Sequence, residues 1–187
     1  MTCIVGLVDN GKVWMGGDSA GSNGWDLNTL AHSKIIKKEE MLIGVTGYLR
    51  GLQLMQYKEW IPKYREDEDD SILGYLCSKF VDALKKLFYD NNYSQRDNNQ
   101  DSNNNDSYLV GWKGRLFIIE SNYQILEFAE KYTAIGCGKK EAIGSLYAHN
   151  SMNPDSAYTP GYMIEEALKV SEKYNEGVRS PFIIESV

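Results

Sequence analysis

The sequence predicts an α+β fold in which two antiparallel sheets pack face to face and carry helices on their outer sides. Three observations predict it. The elements run in the order strands, two helices, strands, two helices, strand. Tight-turn pairs such as Asn10-Gly11 and Lys113-Gly114 join neighbouring apolar runs, as hairpins require. The helical segments are apolar along one face only, so each needs a sheet to cover.

In chain order, Cys3-Ile4-Val5-Gly6-Leu7-Val8 is a short apolar run closed by the turn signal Asp9-Asn10-Gly11. Val13-Trp14-Met15 then leads into Gly16-Gly17-Asp18-Ser19. A second hairpin pairs Lys34–Lys37 with Met41–Val45 and turns at Lys38-Glu39-Glu40. Leu49, Leu52 and Met55 recur at helical spacing in a segment stopped by Pro62. Asp70 reads as the cap of a clearer helix with Ile72, Leu76, Phe80, Ala83 and Leu87 on one face, widened by Cys77 and Leu84.

Residues 91–107 form a polar tract whose composition buries too little apolar surface to offset its ordering entropy. It reads as an exposed, mobile loop inside one domain spanning 1–187, because strand signals resume directly after it. A linker between two domains is the alternative. Beyond it, Tyr108–Trp112 and Arg115–Ile119 form a hairpin around Lys113-Gly114, and Gln124–Phe128 adds a strand. Ala134–Gly138 leads into a helix over about residues 139–149. Thr159-Pro160 starts another helix, with a cap and an N1 proline in their preferred places, that buries Met163, Ala167 and Val170. A strand at Phe182–Ile184 closes the chain.

Composition excludes several classes. With 26 acids against 20 bases the net charge is −6, which argues against a nucleic-acid partner. No run approaches the ~20 apolar residues of a membrane span. The first residues lack the basic-then-apolar pattern of a secretory signal. Cys3, Cys77 and Cys137 are odd in number and far apart, and with His32 and His149 they show no zinc spacing. The expectation is a cytoplasmic, reduced setting with no metal and no cofactor.

The segments that carry chemistry are Thr2-Cys3-Ile4-Val5-Gly6-Leu7, Gly16-Gly17-Asp18-Ser19 and His32-Ser33-Lys34-Ile35. Thr2 to Asp18 and Asp18 to Lys34 are each 16 residues apart. Gly44-Val45-Thr46-Gly47 and Ile135-Gly136-Cys137-Gly138 follow. Together they resemble the proteasome β-subunit family of N-terminal-nucleophile (Ntn) hydrolases, which includes the bacterial ATP-dependent proteasome-like peptidases. The resemblance covers nearly the whole chain apart from the polar tract. It implies a four-layer αββα sandwich of two antiparallel sheets, with the mature chain beginning at Thr2 after loss of Met1.

By that resemblance Thr2 is the nucleophile, Lys34 sits beside its hydroxyl, Asp18 holds Lys34, and the Gly47 N–H stabilises the oxyanion. A threonine hydroxyl needs a base close by, and a free α-amine with a pKa near ~8 supplies one. Each residue also has a plainer reading: Thr2 as an edge-strand residue, Asp18 as a turn, Lys34 as a solvated charge, Gly47 as a helix-entry turn. The shared register favours function.

Two departures stand out. Cys137 occupies a position where the family commonly has a serine near the nucleophile's amine, and a thiol is the poorer donor and acceptor. Near the C-terminus, Asn175 or Glu176 stands in for the usual supporting acid, and no serine falls cleanly three residues on.

The expected function is a threonine-type peptidase or amidohydrolase acting on peptides or unfolded protein within a homo-oligomeric ring. Any ATPase partner is a separate chain, since no Gly-x4-Gly-Lys-Ser/Thr loop occurs here. The alternatives are a non-catalytic ring or scaffold subunit, and an Ntn amidohydrolase acting on a small amide. Use of Cys3 as nucleophile is a remote variant that needs Thr2 removed as well. No motif surrounds His32 or His149; His32 reads as lining a substrate pocket or facing solvent.

Overall fold

The computed structural model describes residues 1–22, 24–97, 100–102, 106–152 and 158–187. Strands β1 (Cys3–Asp9) and β2 (Lys12–Gly17) pair across Asn10 and Gly11, both at positive φ (48° and 77°), as a two-residue hairpin of matching twist demands. Two short strands not foreseen in the sequence, β3 (Ala20–Ser22) and β4 (Leu27–Thr29), make a small hairpin of their own. β5 (Ile35–Lys38) and β6 (Met41–Thr46) pair next.

Helix α1 (Leu49–Tyr57) ends well before Pro62: Lys58 is extended, and the Trp60 indole N–H donates to the Met55 carbonyl at 3.0 Å. The next helical run comprises α2 (Ile72–Tyr75), one π-turn (Leu76–Phe80) and α3 (Val81–Asp90). Its cap is Ser71, not Asp70. The Ser71 hydroxyl accepts from the Gly74 N–H at 2.9 Å, the reach of a true N-cap, and Asp70 stands one residue too early. The buried face also differs from expectation. Cys77 is exposed and Ala83 half-buried, while Tyr75, Val81 and Phe88 join Leu76, Phe80, Leu84 and Leu87 in the core.

Strands β7 (Gln95–Asp97) and β8 (Gln100–Ser102) pair within the polar tract. Tyr93 and Asp106, near its two ends, are buried, whereas residues 98, 99 and 103–105 lie outside the described residues. β9 (Ser107–Trp112) and β10 (Arg115–Ile119) turn through Lys113 and Gly114 at φ 46° and 71°. β11 (Ile125–Glu127), β12 (Tyr132–Gly136), α4 (Lys139–Met152), α5 (Pro160–Tyr174) and β13 (Ile183–Ser186) complete the chain. Thr159 caps α5 with Pro160 at its start. The face α5 buries is Ile164, Ala167, Leu168 and Ser171; Met163 and Val170 are only half-buried, so the apolar stripe is turned from the expected one.

The strands form two antiparallel sheets, β12-β1-β2-β13 and β11-β10-β9-β6-β5. Ile4, Val13, Met15, Leu42, Leu109 and Ile135 fill the space between them. The five-stranded sheet is covered by α1–α3 through Val45, Leu54, Tyr75, Phe80 and Phe117, and the four-stranded sheet by α4 and α5 through Val5, Ala134, Leu146 and Leu168. The result is the four-layer αββα sandwich, with apolar burial on both faces of each sheet supplying the main drive to fold.

Candidate active site

β1 lies between β12 and β2, with Cys3 opposite Gly136 and Ile4 opposite Gly17. The residues just beyond these pairs, Thr2, Cys137 and Asp18, therefore gather at one end of the four-stranded sheet. In the facing sheet Ile35 pairs with Gly44, so Lys34 and Gly47 flank one end of the β5–β6 pair. The Val45 N–H donates to the Lys34 carbonyl at 3.0 Å and anchors Lys34 there.

The side chains meet in a buried constellation. Asp18 is 2% and Lys34 3% exposed. Lys34 Nζ donates to both Asp18 oxygens, at 2.9 and 3.1 Å, and to Thr2 Oγ1 at 3.0 Å. Asp18 also accepts from the backbone N–H groups of Cys3 at 2.9 Å, Ala20 at 2.8 Å and Arg179 at 3.4 Å. Its carboxylate is thus fully bonded and cannot swing away. Burial pushes the Lys34 pKa below the usual lysine value, opposed by the adjacent Asp18 charge. A lysine so placed sits nearer to giving up its proton while still polarising the hydroxyl it touches.

With Met1 attached, Thr2 N is a peptide nitrogen. It donates to Cys137 Sγ at 3.3 Å, while the Thr2 hydroxyl donates to the Met1 carbonyl. Lys34 Nζ lies 3.4 Å from that same carbonyl. The Cys137 N–H donates to the Thr2 carbonyl at 2.8 Å and fixes the thiol beside the nitrogen. Of the two candidates for the supporting acid, Glu176 is exposed and Asn175 reaches inward, but to a different atom: its Nδ2 donates to the Cys137 carbonyl at 3.0 Å.

Gly47 has φ +99°, a conformation few side chains tolerate, and lines a cleft of about 270 Å³ with Thr2, Lys34, Ala20, Leu30 and Leu49. A second cavity of about 470 Å³ adjoins it through Leu30 and Leu49, and His32 lines that one together with Ser33, Gln53 and Tyr57. His149 lies on α4, its Nδ1 2.8 Å from the Ser145 carbonyl.

Three contributors were missed in the sequence. Asp106 is wholly buried against Gly47, and its signal was hidden inside the polar tract. Ser171 lies behind the site, its hydroxyl 2.9 Å from the Gly138 carbonyl and 3.7 Å from the Cys3 thiol; it follows Ile164, Ala167 and Leu168 at helical spacing and was legible on that ground. Arg179 contributes only its backbone N–H, which no pattern of side chains reveals. Cys3 is fully buried and its thiol is pushed up to about 12, mainly by burial, which leaves it a poor nucleophile.

Among the described residues no group of three or more His, Cys, Asp or Glu could hold a metal ion, and no helix is long and apolar enough to cross a membrane.

Comparison with known proteins places the fold. Thiobacillus denitrificans BPH superposes with a TM-score of 0.78 at 17% identity, covering 100% of this chain and 97% of that one. HslV from Trypanosoma brucei gives 0.68 at 15% identity, covering 99% and 98%. Anbu, an ancestral β-subunit, from Yersinia bercovieri gives 0.67 at 15% identity, covering 99% and 81%. No family model matches the chain, and no curated protein matches it. The architecture is the proteasome-like Ntn fold that these structures share.

Proposed function

We propose that this chain is a threonine-type peptidase or amidohydrolase of the proteasome β-subunit-like Ntn class, with Thr2 as nucleophile once Met1 is removed. The observation that carries this reading is Lys34 Nζ, 3.0 Å from Thr2 Oγ1 and bonded to both Asp18 oxygens in a buried setting. Such a group favours the ionised hydroxyl through its charge, and Asp18 keeps it aimed.

In the proposed reaction the freed α-amine of Thr2 accepts the hydroxyl proton, and Oγ1 attacks the substrate carbonyl carbon. The Gly47 N–H stabilises the resulting oxyanion, a kind of contact worth about 3–4 kcal/mol in transition-state energy. Collapse expels the leaving amine, which takes the proton back from the α-amine, and leaves an ester on Oγ1. Water, activated by the same amine, hydrolyses that ester and restores Thr2. Cys137 stands where it can hold the amine, as a weaker partner than a hydroxyl.

The substrate class is a peptide or unfolded polypeptide, and the assembly a homo-oligomeric ring fed by a separate ATPase; both rest on the fold shared with HslV and Anbu. One of the BPH structures is a complex with epoxomicin, covering 100% of this chain at 16% identity and a TM-score of 0.79. The same compound is a direct probe here. The processed chain is expected to gain its mass on Thr2, and Thr2→Ala to gain none. Mass spectrometry of the N-terminus comes first: in a native chain that keeps Met1, Thr2 has no free α-amine, and that result would sink the enzyme reading.

A non-catalytic ring subunit is the second reading, favoured by the thiol and carboxamide found on the amine side of Thr2. It expects no peptide cleavage from a chain that begins at Thr2. Action on a small amide is the third, and a monomer or dimer in solution would favour it.

A further inference from the structure

We propose that Asp106 is a positioning residue for oxyanion stabilisation: its buried carboxylate clamps the Gly47–Tyr48 turn and so aims the Gly47 N–H into the cleft. This rests on the hydrolase reading above. Asp106 is 0% exposed and takes no part in the Thr2–Lys34–Asp18 constellation. Its Oδ1 accepts from the Tyr48 N–H at 3.0 Å, and its Oδ2 accepts from the hydroxyls of Tyr93 at 2.7 Å and Tyr108 at 3.3 Å.

The carboxylate also occupies the space a side chain on Gly47 would need. A Cβ built there would collide with Asp106 Oδ1, and one on Gly51 would come within 2.8 Å of Oδ2. Gly47 is thus held at φ +99° from behind by packing and from the following peptide by a hydrogen bond. The preceding residue is pinned as well: Thr46 Oγ1 accepts from the Ser107 N–H at 3.2 Å and donates to the Ser107 carbonyl at 3.1 Å.

A buried carboxylate is costly unless its lone pairs are bonded. The structure spends three donors from three separate segments on this one, at a point where backbone direction decides whether an N–H faces the cleft. Burial raises the Asp106 pKa and the three hydrogen bonds pull it back down, so the group is well satisfied but depends on all of them.

The test separates oxyanion stabilisation from nucleophile strength on the chain with Thr2 at its N-terminus. A trileucine boronate forms a tetrahedral adduct on Oγ1; a trileucine vinyl sulfone is attacked by the same atom with no carbonyl oxyanion. Asp106→Ala is expected to weaken the boronate at least about 30-fold, approaching the roughly 10²-fold of losing an oxyanion donor outright, with vinyl sulfone labelling within about threefold of the unsubstituted chain. Asp106→Asn keeps an acceptor for Tyr48 and a polar partner for the tyrosines, and is expected to restore the boronate to within about threefold.

Tyr93→Phe removes one donor without unfolding the core, and is expected to shift the boronate alone by about three- to tenfold. Hydrogen exchange at the Tyr48 amide gives a reading independent of catalysis, expected faster in Asp106→Ala with core amides unchanged. The proposal is overturned if Tyr48 exchange does not change, if the boronate binds Asp106→Ala normally, or if both reagents fail together. An unsubstituted chain that takes neither reagent overturns the hydrolase reading itself, and that outcome is visible before any variant is made.

Discussion

On the hydroxyl side of Thr2 the neighbouring groups are charged, buried and multiply bonded: Lys34 reaches Oγ1, and Asp18 answers Lys34 while accepting three backbone N–H groups. On the nitrogen side the partners are a thiol and, behind it, a carboxamide. The first arrangement is rigid because breaking any part leaves an unpaired charge in the interior. The second can be altered at little cost, because neutral groups near solvent are replaced by water. In the reaction proposed above, Thr2 is therefore primed at its oxygen, and proton handling at its nitrogen is left to weaker groups.

Four predictions follow from that contrast. Lys34→Met should cut kcat by about 10³-fold or more, a loss of the size seen when members of a catalytic unit are removed. It should also cost about 3 kcal/mol of stability, since Asp18 keeps its backbone donors but loses its counter-charge. Steady-state kinetics with calorimetry checks both; a loss below about tenfold would break the hydroxyl-side reading. Asp18→Asn comes next, at about 10²-fold in kcat, because Lys34 stays beside Oγ1 but loses the charge that holds it.

On the nitrogen side, Cys137→Ser should raise kcat by at most about tenfold, and Cys137→Ala should lower it by less than that, since hydroxyl, thiol and water differ modestly as partners for an amine. Should Cys137→Ala prove as damaging as Asp18→Asn, the two sides are equally built and the contrast fails.

The smallest effect is one of pH. The folded pKa of Lys34 lies below its ordinary value of 10.5. Between the two, the unfolded chain binds more protons than the folded one, so this group's contribution to stability rises with pH towards 10.5 and is lost as pH falls through the folded value. The difference in Tm between the unsubstituted chain and Lys34→Met should therefore move in favour of the former from pH 7 to 10. Movement in the opposite direction would mean that the Asp18 attraction outweighs burial.

Much of the fold was legible locally. Asn10-Gly11 and Lys113-Gly114 announced their hairpins, and Thr159-Pro160 announced the start of α5. Ser71 was overlooked beside Asp70 because both are cap residues by type, and only the bond from the Gly74 N–H to the Ser71 hydroxyl chooses between them. The stripe on α5 was misplaced because Met163 and Val170 are apolar by type, while the sheet beneath accepts Ile164 and Leu168 instead. Of the site, Thr2, Asp18, Lys34, Gly47 and Cys137 were named by the family resemblance, with the 16-residue intervals in its support, and the structure brings all five to one place.

What the sequence alone determined was whatever depends on neighbours along the chain: turn chemistry, the alternation of apolar and polar faces, and the hairpin that sets Asp18 beside the start of β1. Only the tertiary structure decided which distant groups complete the site. Asp106 meets the Tyr48 N–H across 58 residues, and the Arg179 N–H meets Asp18 across 161. Such contacts arise because buried donors and acceptors must be satisfied where the chain closes on itself. Nothing in the local pattern of either segment encodes its partner.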